Sequence, residues 1–103
     1  MIVVKVTYSV QEAYISTNIE MIRNFLADFK KLDHTQFVYT VFQGAENNTF
    51  IHLSQYKNKE IQQVILNTPS FLHFQELRDK NLASEPEIEI LDFIGSSKDI
   101  FSI

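Results

Sequence analysis

The chemistry open to this chain is narrow, because several reactive side chains are missing from it. It carries three histidines and four tyrosines but no cysteine and no tryptophan. Without cysteine there is no thiolate nucleophile, disulfide, iron–sulfur cluster or cysteine-bound zinc. The histidines are His34, His52 and His73, and no His-x-His or His-x₃-His spacing joins them, so no metal site is expected. No serine sits in a nucleophile elbow, no glycine-rich phosphate loop is present, and no paired carboxylates share a helix face. His52 is the candidate catalytic group. It lies in Phe50-Ile51-His52-Leu53-Ser54-Gln55-Tyr56, where period-2 alternation puts it on one face with Phe50, Ser54 and Tyr56. A neutral imidazole there could act as a base near neutral pH. The same position also suits a core or interface histidine whose ring is satisfied.

Tyr8, Tyr39 and Tyr56 are the candidate ligand contacts, since tyrosine offers a hydroxyl on an apolar ring to a phenolic or quinone ligand. Each reads equally well as a core tyrosine with its tip at the rim. His34, in Lys31-Leu32-Asp33-His34, belongs to an exposed loop, and His73 to the solvent side of a helix. Asp92 stands between Ile90 and Ile94 and could pair with Lys5 or Arg78.

These groups need elements to hold them. Ile2, Val4, Val6, Tyr8 and Val10 alternate with Val3, Lys5, Thr7 and Ser9, which predicts a first strand. From Ala13 to about Lys31 the period changes to helical, with Ile15, Ile19, Ile22, Leu26 and Phe29 on one stripe. Phe37 to Gln43 and Thr49 to Tyr56 form a hairpin around Gly44-Ala45-Glu46-Asn47-Asn48, a turn rich in residues that tolerate left-handed or Asx conformations. Asn58 is a candidate N-cap for a helix from Lys59 to Leu66. Thr68-Pro69 reads as a second N-cap with proline at the first helical position, opening a helix through Leu82 with Phe71 and Phe74 facing inward. Glu87 to Ile94 alternates again. The tail from Gly95 to Ile103 has no assigned element.

The order is βαββαβ. Its crossovers place the helices on one side of a four-stranded antiparallel sheet, the ferredoxin-like arrangement of an α+β protein. One domain, residues 1–103, accounts for the whole pattern. The second, third and fourth strands carry large apolar residues on both faces: Val38 and Phe42 oppose Phe37 and Tyr39, for example. A sheet with two apolar faces needs a second layer, and another copy of the chain supplies it most simply. A homodimer with sheets packed face to face is therefore expected.

The formal net charge is -4, and the only basic pair is Lys30-Lys31. Nucleic acid and anionic membrane surfaces are not expected partners. The amino terminus shows no basic region before an apolar run, and no stretch approaches the roughly 20 apolar residues of a membrane span. With the lack of cysteine, this leads to an expected cytoplasmic location. Asn47-Asn48-Thr49 matches a glycosylation sequon but reads as a polar turn.

Strand order, the segment Phe50 to Tyr56, and Thr68-Pro69-Ser70-Phe71-Leu72-His73-Phe74 together resemble the antibiotic biosynthesis monooxygenase superfamily of dimeric α+β barrels. The resemblance spans about residues 2–95. It is stronger to a set of small bacterial members with a Pro-Ser-Phe-x-x-Phe-Gln helix, for which no reaction is assigned. It implies a homodimer with a small apolar or aromatic ligand and no cofactor. The superfamily includes quinol oxygenases and haem-degrading oxygenases, but this chain departs from both. Ser54 stands where many members carry a strand glutamate. Gln75 stands near the helix histidine of the haem-degrading members, and tryptophan is absent. The expectation is a ligand-binding or structural member without an enzymatic role. The alternative is a cofactor-independent monooxygenase acting on a quinol-type aromatic, with His52 as base and Tyr8 and Tyr39 orienting the ring.

Overall fold

The structure, a computed structural model, describes residues 1–101. Strand β1 (Ile2–Ser9) leads through a short 3-10 turn (Glu12–Tyr14) into α1 (Ile15–Phe29). Strands β2 (Phe37–Gln43) and β3 (Thr49–Tyr56) form the hairpin. Helices α2 (Lys59–Leu66) and α3 (Pro69–Asp79) then lead to β4 (Glu87–Leu91). The sheet order is β2-β3-β1-β4, and every neighbouring pair is antiparallel. This is the ferredoxin-like α+β fold expected from the element order. Among the described residues no helix is long and apolar enough to cross a membrane.

Register decides which residues face the helices. Val6 pairs with His52, and His52 pairs with Val41 on its other side. Ile2, Val4, Val6 and Tyr8 therefore share a face with Phe50, His52, Ser54 and Tyr56, and with Phe37, Tyr39 and Val41. On α1 the buried positions are Asn18, Ile22, Phe25 and Phe29, spaced by four, three and four. From α3, Phe71 and Phe74 complete the core. The ring of Phe25 is its hub, with centroids 4.9 Å from Phe74, 5.0 Å from Phe71 and 5.1 Å from Phe29.

Local chemistry sets the boundaries. Asn58 caps α2 as expected, its side-chain oxygen accepting from Ile61 N at 2.9 Å. Thr68 precedes α3 in extended backbone with Pro69 at the first helical turn, but its side chain makes no capping bond. Its carbonyl oxygen accepts from Phe71 N and Leu72 N instead. The hairpin turn closes with no residue at positive φ, so the left-handed conformations its composition would tolerate are not used. Gly44 N donates to Thr49 O at 2.8 Å.

Three boundaries differ from expectation. Helix α1 ends at Phe29, and Lys31 and Leu32 continue it only as tight turns bonded to Asp28 O and Phe29 O. Helix α3 stops at Asp79; Leu82 lies beyond it, in an isolated bridge with Val10. Strand β4 stops at Leu91 instead of Ile94, because its last partner is Val3 and β1 itself begins at Ile2. Asp92 is therefore exposed and outside the sheet, and pairs with neither Lys5 nor Arg78. Lys5 lies 3.9 Å from Glu89, and Arg78 pairs with Asp79 at 3.0 Å. Gly95 to Phe101 forms no strand or helix; Ser102 and Ile103, which complete the unassigned tail, lie outside the described residues.

Phe74 is fully buried against four aromatic partners, so Phe74→Ala should lower the unfolding free energy by roughly 3–5 kcal/mol in urea titration. A loss below about 1 kcal/mol would mean that α3 does not press this ring into the core.

Candidate functional site

The sheet and α1 together place four polar groups in one hydrogen-bonded chain. In register, Tyr8 is two residues beyond His52's partner on β1, and Tyr39 is two residues before its partner on β2. Both are diagonal neighbours of His52 on the same face, within reach of a long side chain. The Tyr8 hydroxyl lies 2.8 Å from His52 Nε2, and the Tyr39 hydroxyl 2.7 Å from Nδ1. Behind Tyr8, Asn18 Nδ2 donates to the Tyr8 oxygen at 3.0 Å. Phe74 closes over His52, its ring stacked at 5.4 Å and 25°. His52 is 2% exposed.

This environment dictates the protonation states. Burial pushes the His52 pKa down to about 3, and the Arg78 guanidinium adds to the fall. Hydrogen bonding favours the same state, since a charged imidazolium would donate from both nitrogens. Tyr8 would then accept from both His52 and Asn18, leaving its own buried proton without a partner. Burial also raises the tyrosines: Tyr8 above its ordinary value, Tyr39 well above it, and Tyr56 up to about 12. At neutral pH the chain from Asn18 to Tyr39 carries no charge. Burial and two hydrogen bonds thus disfavour the protonated ring and hold the His52 pKa well below the ordinary 6.5 of a free imidazole.

A cavity of about 190 Å³ lies between the sheet and the α2–α3 side. Tyr39 and His52 form part of its wall, with Ser54 and Tyr56 beside them and Phe71 opposite. Gln62, Gln75 and Arg78 bring polar ends to it. Ile88 also lines it and is 66% exposed, which puts the opening toward the β4 edge. Arg78 is anchored by Asp79, and its guanidinium sits 5.2 Å over the Tyr8 ring and 5.3 Å over Phe74. Of the sequence candidates, His52, Tyr39 and Tyr56 line the cavity, whereas Tyr8 stands behind His52 and touches it through the imidazole. A larger groove of about 610 Å³ runs between α1 and β2 with Arg23, Lys30 and His34 on its rim. Those are solvated surface groups, so the smaller cavity, which holds the buried polar chain, is the candidate site. His73 is exposed on α3, away from it. Among the described residues no group of three metal-ligating side chains occurs.

Asn18 and Arg78 escaped the sequence reading as site residues. Asn18 had a readable signal: counted from Ile22, Phe25 and Phe29, it occupies the next buried position, where an amide needs a partner. Arg78 had none, because a basic residue in the last turn of a helix is what the helix dipole favours anyway.

No protein-family model matches the chain, and no curated protein matches it significantly. Solved structures do. One is an antibiotic biosynthesis monooxygenase with a TM-score of 0.78 and 11% identity, covering 92% of this chain and 100% of that one. Another, from Caulobacter crescentus, is assigned provisionally to the same group, with a TM-score of 0.77 and 22% identity, covering 91% and 90%. A third is a conserved Bacteroides thetaiotaomicron protein of unknown function, with a TM-score of 0.73 and 19% identity, covering 89% and 96%. The chain thus has the fold of the antibiotic biosynthesis monooxygenases, as its sequence resemblance implied.

The depressed His52 pKa carries a sign for stability. The unfolded chain takes up a proton near pH 6.5 and the folded chain only near pH 3, so unfolding is favoured as pH falls through this window. The stability that neutral His52 contributes is complete above pH 6.5 and is lost as pH falls toward 3. The loss should be on the order of a few kcal/mol between pH 7 and pH 4. Urea unfolding of wild type and His52→Gln at both pH values isolates it, because other groups titrate in both proteins. Equal losses in the two would show that His52 is not held neutral by the fold.

Proposed function

We propose that the cavity binds a small aromatic molecule of one ring with oxygen substituents, and that the protein works as a ligand-binding module. The carrying observation is the cavity wall itself: a neutral Tyr39–His52 pair beside the rings of Tyr56 and Phe71. Size supports a single ring, since an apolar cavity of about 150 Å³ holds benzene and this one is about 190 Å³. Multi-ring ligands need the 300 Å³ or more of ordinary drug-sized sites.

The presence of His52 in that wall favours one second reading, a cofactor-independent quinol monooxygenase. In that reaction a quinol and dioxygen give a hydroxyquinone and water, one oxygen atom entering the ring at the expense of a C–H bond. The quinol must first lose a proton, and His52 with a pKa of about 3 is a weak acceptor for it. Ligand binding without turnover is therefore the preferred reading.

Titration calorimetry with a panel of one-ring phenols, quinols and aryl ketones tests it, together with oxygen uptake on the quinols. Saturable binding is expected, lost in Val6→Phe, which fills the cavity floor between His52 and Ile88. Absence of binding across the panel would sink the proposal. Oxygen uptake by wild type that disappears in His52→Gln would establish the monooxygenase reading instead.

A homodimer formed on the open sheet face belongs to the same proposal, as does a cytoplasmic location. That face presents Val38, Ile51 and Leu53, half-buried, with Phe42 51% and Leu91 37% exposed. A standard interface hides about 800 Å² per partner. Sedimentation at micromolar concentration should give twice 12.0 kDa, and a monomer there would rule the second layer out.

A further inference from the structure

The hydrogen-bond chain has a direction, and the direction selects a ligand. Asn18 Nδ2 is a donor only, so the Tyr8 oxygen accepts from it. Tyr8 is almost fully buried, and its other polar contact is His52 Nε2 at 2.8 Å. Asn18 Oδ1 is buried without a partner among the described residues and turned away from Tyr8, so with Nδ2 facing the hydroxyl the Tyr8 proton goes to Nε2. Were Nε2 to carry hydrogen instead, Tyr8 would receive two donors, and its own O–H would be buried without an acceptor, at the full desolvation cost of that group. A neutral imidazole has one hydrogen, so it resides on Nδ1 and points at the Tyr39 oxygen 2.7 Å away. Tyr39 thus accepts from His52 and keeps its own proton. Among the described residues no side-chain or backbone acceptor takes that proton, and Tyr39 lines the cavity.

We infer that Asn18 polarises the chain Asn18→Tyr8→His52→Tyr39, so that the cavity presents a hydrogen-bond donor and selects an aromatic ligand bearing a carbonyl-type acceptor oxygen. This rests on the cavity being a ligand site and narrows its ligand from any oxygenated ring to a ring ketone, quinone or similar acceptor. Arg78, the other fixed donor on the wall, has the same preference. Asn18 touches no ligand; it is a positioning residue acting through two side chains.

Two measurements test this independently. Ring ¹⁵N NMR of the wild-type protein at pH 7 reports which nitrogen of His52 carries hydrogen. The Nδ1–H form is expected; the Nε2–H form overturns the inference whatever binds. Calorimetry then compares acetophenone with α-methylstyrene, which has the same shape but a CH₂ in place of the carbonyl oxygen. One neutral hydrogen bond should make acetophenone roughly threefold to tenfold tighter, and Tyr39→Phe should erase the difference. Asn18→Asp supplies an acceptor to Tyr8 and should reverse the chain, moving hydrogen to Nε2 and abolishing the preference. Should the aspartate variant not fold, the wild-type ring spectrum and the Tyr39→Phe comparison still decide between the two forms. Equal affinities in wild type overturn the ligand class. An Nδ1–H ring with neither compound bound also overturns it, and places the failure in the cavity's role and not in the polarised chain.

Discussion

The structure turns on an imidazole held out of water between two phenol hydroxyls. Burying a polar ring is costly unless its nitrogens are satisfied, and His52 satisfies both, with Tyr8 on β1 and Tyr39 on β2. Those partners lie on the strands flanking β3, so the contacts exist only when the three strands stand in one register. A slip of one residue would turn His52 to the other face and strand both tyrosines. The polar core and the strand register therefore enforce each other.

Aromatic packing gives this chain its neutrality. Phe74 stacks on His52, Phe25 packs against Phe74, Phe71 and Tyr39, and together they exclude the water that would let the ring titrate near pH 6.5. The cavity has a complementary origin. Ser54, small and facing the helices, lies between Val4 and Tyr39 in register and between His52 and Tyr56 along β3. A longer side chain at this position would occupy the space. Where the resemblance to the monooxygenases implied a missing glutamate, the structure has an opening bounded by Tyr39, His52 and the Arg78 guanidinium.

Fold and chemistry separate clearly here. Solved structures with TM-scores of 0.73 to 0.78 share as little as 9% of the sequence with this chain. The layered pattern of apolar positions that makes the fold tolerates nearly any exchange of hydrophobic residues. The proposed ligand preference rests on a few side chains outside that pattern, chiefly Asn18, Tyr39, His52 and Arg78.

Much of the architecture follows from the sequence by itself. Period-2 and helical spacings are local consequences of how strands and helices turn their side chains, and they marked β1, β2, β3, α1 and α2 closely, as well as the shared face of Phe50, His52 and Tyr56. Asn58 was readable as a cap because its partner is three residues away. The end of β4 was not, since it depends on where β1, far away in sequence, runs out of backbone. The same holds for the site. His52 meets Tyr8 across 44 positions, and Asn18 reaches Tyr8 from a helix. A histidine pattern alone says that a base near neutral pH is available. Only the tertiary structure decides that this imidazole is dry, doubly bonded and uncharged, because the water it loses and the partners it gains come from segments that folding alone brings together.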